Sequence, residues 1–116
     1  MSDQDKRRSV RVIPFVCDED VIVVHQEGRK NMLAKMMELS ESGTLAYLLE
    51  DAEVLNSVEI SLCHQGNIFR VPAAVIQKNG RLAAFEFVRP SLENFREIQS
   101  KLIRMEVEWM RLSRRR

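Results

Sequence analysis

Short stretches in which apolar and polar residues alternate, separated by turn residues, fill the first ninety positions of the chain. Val58-Glu59-Ile60-Ser61-Leu62 has the period of two that marks a half-buried strand. Val21-Ile22-Val23-Val24-His25 is β-branched throughout and reads as a strand on propensity. Residues Asn31 to Leu39 are rich in Met and Leu, which also suit a helix, but their shortness and the turn residues on either side favour a strand. Thr44 to Leu49, Ile68 to Ile76 and Arg81 to Val88 complete a set of six. Glu27-Gly28-Arg29-Lys30, Gln65-Gly66-Asn67 and Asn79-Gly80 provide turns, the last being the strongest short hairpin signal in the chain. After Pro90 the period changes. Ser91 is a candidate N-cap with Glu93 in the first turn, and Phe95, Ile98, Leu102, Met105, Trp109 and Leu112 recur at alternating spacings of three and four. The pattern predicts a mainly β chain: a six-stranded antiparallel barrel, closed or nearly so, followed by a long C-terminal α-helix running to about Arg111.

The 116 residues suffice for one domain with its own core. The expected organisation is a flexible tail over 1–11, the barrel over 12–90 and the helix over 91–113. Val12-Ile13-Pro14-Phe15-Val16 is extended in character, with Pro14 confining it to an edge or an irregular crossing. No apolar run approaches the roughly 20 residues that span a bilayer, and Met1 to Lys6 lacks the apolar segment of a signal peptide, so the expected location is the cytoplasm. Cys17 and Cys63 fit a reducing compartment. The net charge of +1 is unevenly spread: residues 1–11 carry +2 and residues 111–116 carry +4, which leaves −5 between them. Basic ends on an acidic body can draw an anionic ligand to one end, but they are not the footprint of a broad nucleic-acid surface.

Two stretches hold the candidate chemistry. Arg7, Arg8 and Arg11 present forked, permanently charged guanidiniums suited to phosphate oxygens and to the paired acceptors of guanine. Some thirty residues on, Glu38-Leu39-Ser40-Glu41-Ser42-Gly43 interrupts an apolar run with a carboxylate, two hydroxyls and a glycine that permits a positive φ or close backbone approach. Cys17, His25, Cys63 and His64 lack the spacing of zinc ligands, and there is no nucleophile-plus-base motif or phosphate loop. The expectation is a binding protein without catalytic residues, metal or cofactor. On the helix, Glu97 with Lys101 and Arg104 with Glu108 are spaced as solvent-facing ion pairs. Met105, Trp109 and Leu112 continue the apolar stripe beyond the reach of a small barrel, as an association surface for a homodimer.

Arg7-x-x-x-Arg11, followed by a strand pair and then Glu38-x-Ser40-x-x-Gly43, resembles the signature of the PilZ domain, a bacterial receptor for cyclic di-GMP. Glu38 stands where that family prefers Asp or Asn. Ala84-Phe85-Glu86-Phe87-Val88 before a Ser-initiated helix is similar to the family's last strand and closing helix, so the likeness spans residues 6 to 104. It implies a six-stranded antiparallel barrel. It also implies cyclic di-GMP as ligand, held by Arg7, Arg8, Arg11, Glu38, Ser40 and Gly43, and a tail that orders on binding and signals to a protein partner. Lys6, before the arginine pair, is compatible with a stacked pair of nucleotides. Two alternatives are a PilZ-like protein-interaction module without nucleotide binding and a small-barrel nucleic-acid binder.

Overall fold

The computed structural model of the chain describes residues 18–114. Six strands form: β1 Val21–His25, β2 Met32–Leu39, β3 Gly43–Leu48, β4 Ser57–His64, β5 Asn67–Asn79 and β6 Leu82–Phe87. One helix follows, α1 Leu92–Arg114. Every neighbouring pair is antiparallel, and the order β1-β2-β3-β6-β5-β4 closes because β1 also pairs with β4, Val23 opposite Ser61 and Val24 opposite Ile60.

Alternation decides what faces inward. Ile22 and Val24 of β1, Val58, Ile60 and Leu62 of β4, and Val71 and Ala73 of β5 join Leu48 and Phe85 in one core. The Val, Leu, Ile and Phe side chains among them are each worth about 1.5–3 kcal/mol when fully buried. Ile98 of α1 is buried within the same cluster and closes the barrel end where β6 runs into the helix. Ser91 caps α1, its Oγ accepting from the Asn94 N–H at 3.0 Å. The two tightest hairpins differ in turn chemistry. Gln65 and Gly66 both have positive φ, the pair that a type I′ turn requires. At the β5–β6 turn Asn79 pairs with Leu82, so the loop residues are Gly80, at φ +59°, and Arg81.

Two β-bulges interrupt the ladder, one between Met36 and Glu38 on β2 and one between Val75 and Gln77 on β5. Each inserts a residue and so reverses the facing of all that follows. Met36 is inward and buried. Plain alternation would turn Glu38 inward as well, but with Met37 as the extra residue Glu38 lies opposite Leu45 and is exposed.

The helix departs from expectation at Lys101. Its side chain does not stay in water beside the stripe but is among the most buried in the protein, 1% exposed. Its Nζ donates to the Glu19 Oε1 carboxylate at 2.8 Å, the Glu19 carbonyl at 2.9 Å and the Cys63 carbonyl at 2.7 Å. Three donors thus meet three acceptors, the condition for burying an ammonium. The expected helical ion pairs are replaced accordingly: Lys101 pairs with Glu19, and Glu108 with Arg111 at 3.3 Å.

Candidate functional site

A cleft of about 310 Å³ lies on the outer wall of the barrel at the helix-capped end. Its floor is the β3–β6 pair, where Gly43 faces Glu86 and Leu45 faces Ala84. The two bulged strands stand on either side, contributing Glu38 and Ile76. Bulges re-aim side chains beside functional surfaces, and here one of them places the Glu38 carboxylate on the cleft. Glu38, Ser40 and Gly43 are therefore brought together. Arg7, Arg8 and Arg11 lie outside the described residues.

The β2–β3 connection is tied by its first serine. The Ser40 N–H donates to the Gly43 carbonyl at 2.9 Å. The Ser40 Oγ accepts from the Ser42 and Gly43 N–H groups at 3.3 and 3.2 Å, and lies 3.3 Å from the Gly43 carbonyl and 3.2 Å from the Ser42 Oγ. One hydroxyl offers one donor and two acceptor sites, so Ser40 is largely occupied in building the loop and Ser42 is the hydroxyl with capacity to spare. Gly43 is needed for close approach rather than for a positive φ. It is buried in β3, and a Cβ there would overlap the Phe85 carbonyl oxygen of β6. Thr44 secures the bulge from across the loop, its Oγ1 donating to the Glu38 carbonyl at 2.7 Å.

Among the described residues the cleft holds two carboxylates, Glu38 and Glu86, with hydroxyls between them and no cation. The chain enters the barrel nearby. Asp20, just before β1, accepts from the Met36 N–H at 2.8 Å, two residues short of Glu38. Residues 18–20 therefore lead into the barrel at the same end as the cleft.

A second outward-facing cluster lies on β1, β4 and β5. The His25 Nε2 is 2.7 Å from the Ser61 Oγ, and the Arg70 guanidinium is 3.2 Å from the His25 Nδ1. Arginine can only donate, so Nδ1 accepts and Nε2 carries the proton. Ser61 then receives a hydrogen bond from His25, the reverse of the polarity a Ser–His nucleophile uses. Burial, then the Arg70 charge, lowers the His25 pKa below its ordinary value, favouring that neutral imidazole. No group of His, Cys, Asp and Glu among the described residues has the arrangement of a metal site, and no helix among them is long and apolar enough to cross a membrane.

A closed six-stranded antiparallel barrel, capped by a C-terminal helix and carrying a Ser–Gly hairpin at the capped end, is a PilZ-like fold. The chain is similar in structure to the PilZ domain of CeSA from a cellulose-synthesizing bacterium, with a TM-score of 0.62 at 14% identity over 78% of this chain and 95% of that one. It is also similar to an uncharacterized Legionella protein, with a TM-score of 0.56 at 13% identity over 77% and 89% of the two chains. No family model matches the sequence, and no curated protein sequence does.

Proposed function

We propose that this chain is a cyclic di-GMP receptor, a non-enzymatic adaptor that binds the nucleotide on the outer wall of its barrel and passes the signal to a protein partner. The observation that carries this reading is the chemistry of the cleft. Glu38, Glu86 and Ser42 offer acceptors suited to the N–H and NH₂ groups of a guanine edge, on a loop that Ser40 holds in shape, while nothing among the described residues meets a phosphate. The missing charge is supplied by Arg7, Arg8 and Arg11. Seven residues of chain from Arg11 to Asp18 reach at most about 25 Å, and Asp18 stands at the cleft's own end of the barrel. Arginines drawn to the ligand from a tail order that tail as they bind, which is the switch a partner reads. Copies of the chain associate through α1.

Calorimetric titration with cyclic di-GMP tests the reading. Saturable binding is expected, with the stoichiometry distinguishing one nucleotide from a stacked pair. Arg7→Ala and Arg11→Ala should each reduce affinity at least about tenfold, the effect of losing one charge-assisted contact of roughly 1.5–3 kcal/mol, with unfolding transitions unchanged. Absence of binding by the parent chain would remove the nucleotide and leave a PilZ-like interaction module. That second reading is favoured by one observation, the occupation of the Ser40 hydroxyl by its own loop. A parallel titration with short single-stranded RNA examines the nucleic-acid alternative.

A further inference from the structure

Only the first half of α1 is seated. Ile98 and Lys101 are its buried residues, and every residue from Ile103 to Arg114 is exposed. At 1.5 Å per residue those twelve positions extend about 18 Å. They carry two apolar stripes rather than one. Met105, Trp109 and Leu112 continue the line of Phe95, Ile98 and Leu102, the side of the helix that meets the barrel. Ile103, Val107 and Met110 form a second line, roughly 140° further round at 100° per residue, on the side turned away.

The charges beside each stripe decide which of them suits a second copy. A parallel helix laid on the first stripe would have Glu106 and Glu108 on its flanks. Lys101, the basic residue spaced to answer Glu106, is committed to Glu19 inside its own chain. The first stripe also overhangs the β2–β3 hairpin, to which α1 is tied by Gln99 donating to Glu41 at 3.1 Å, so a partner helix would meet the barrel. The second stripe is free of the first obstacle, and its only barrel neighbour among the described residues is the β4–β5 turn, where Ile103, Val107 and Arg111 share an open cleft with His64 and Gln65. With Val107 in a core position, Glu106 precedes it and Arg111 follows by four, the spacing at which an acidic and a basic side chain meet across two parallel helices. By two-fold symmetry the pair forms twice. An antiparallel arrangement would instead set Glu106 against Glu106 and Arg104 against Arg111. Both Glu106 and Arg111 are exposed, and among the described residues Arg111 is paired with Glu108 of its own helix.

The geometry points to a parallel dimer of this chain through the outward stripe, with Ile103, Val107 and Met110 packed on their copies and Glu106 paired with Arg111 of the second chain. This moves the interface off Met105, Trp109 and Leu112, the residues the heptad spacing alone selects. It rests on the self-association reading above and is independent of nucleotide binding. Three apolar side chains per copy place the interface at the small end of the size range, where association is weak and transient, so the dimer is expected to be concentration-dependent.

Sedimentation equilibrium of the full chain over micromolar to millimolar concentration tests this. The parent should show a reversible monomer–dimer equilibrium, and Val107→Lys should be monomeric throughout. Glu106→Arg and Arg111→Glu should each weaken association at least about tenfold, and the double exchange should restore it to within about threefold, because only a parallel pairing re-forms both bridges. A monomeric parent at millimolar concentration overturns self-association altogether. A dimer that survives Val107→Lys but is lost in Trp109→Lys overturns the choice of face, and a double exchange weaker than either single one overturns the parallel direction. Cyclic di-GMP titration of Val107→Lys keeps the two readings separable, since its cleft residues are unaltered.

Discussion

Lys101 holds Glu19 from 82 positions away in sequence, its Nζ 2.8 Å from the Oε1 carboxylate and 2.9 Å from the backbone carbonyl. The same ammonium reaches the Cys63 carbonyl, and the Glu19 Oε2 accepts from the Gln65 N–H. Four pieces of the chain meet at this point: the entry into β1, the end of β4, the β4–β5 turn and the helix.

Lys101→Met is expected to cost about 2–3 kcal/mol of stability. It leaves the Cys63 and Glu19 carbonyls without their donor, at about 1–3 kcal/mol for an unsatisfied buried group, while Glu19 recovers part of the loss by hydration because its side chain is 44% exposed. Glu19→Gln should cost less, since an amide oxygen still accepts from Lys101. Urea unfolding of the two variants gives the comparison, and equal costs would mean the carboxylate charge, not the hydrogen bonds, holds Lys101.

Acid should weaken this junction specifically. Burial raises the Glu19 pKa, but the Lys101 hydrogen bond, the Gln65 N–H and the Lys101 and His64 charges outweigh it, and the carboxyl ends below its ordinary value of 4.5. A folded-state pKa below the unfolded one contributes stability that is full above the unfolded value and lost as pH falls through the folded one. Stability measured from pH 6 downward should therefore fall less steeply for Glu19→Gln than for the parent, and parallel curves would count against the linkage.

Gly43→Ala is expected to destabilise the barrel by about 2–4 kcal/mol, because the added Cβ meets a backbone carbonyl of a neighbouring strand that cannot turn aside. Ser42→Ala leaves the strand pairing intact and should cost under about 1 kcal/mol. Thermal unfolding distinguishes them. Loss of ligand affinity in Gly43→Ala is informative only below its own melting transition.

Glu38→Asp should bind cyclic di-GMP at least as well as the parent. The carboxylate keeps its charge and acceptors and lies on the same outward position, with one methylene less to hold in place. A clear loss of affinity in the calorimeter would show that Glu38 is fitted to its own reach.

Deleting Met37 removes the β2 bulge but leaves Glu38 directly after the inward Met36, still opposite Leu45 and outward. The deletion should therefore fold, and its cyclic di-GMP titration examines whether the local bend of the bulge, rather than the facing of Glu38, serves the cleft. A variant that fails to fold, judged by circular dichroism and the melting curve, would show that the β2–β3 ladder needs the extra residue.

The strands and helix are legible in the sequence because each depends on its own residues: alternation in β4, β-branching in β1, the Gly80 turn and the 3–4 spacing after Ser91. The clustering of Glu38, Ser40 and Gly43 follows from their nearness along the chain. What escapes local reading depends on partners far away. The bulges at Met37 and Ile76 exist in relation to β3 and β6, so β2 read alone turns Glu38 to the wrong face. Lys101 has the residue type and position of a solvent-facing flank, and only acceptors 38 and 82 residues earlier make its burial tolerable. The role of Gly43 is hidden for the same reason, since the atom that excludes a side chain there belongs to Phe85.

Closure of the barrel through β1 and β4 also sets an order of events during synthesis. Hairpins such as β4–β5 and β5–β6 can form as soon as their residues emerge, since little loop entropy is lost. β1 can pair with β2 early, but its second edge waits for β4, and the entry loop waits longer still, until Lys101 has left the ribosome. The first strand of the barrel is thus secured by a residue made after all six strands, and a nascent chain arrested before the helix keeps one end of its core open.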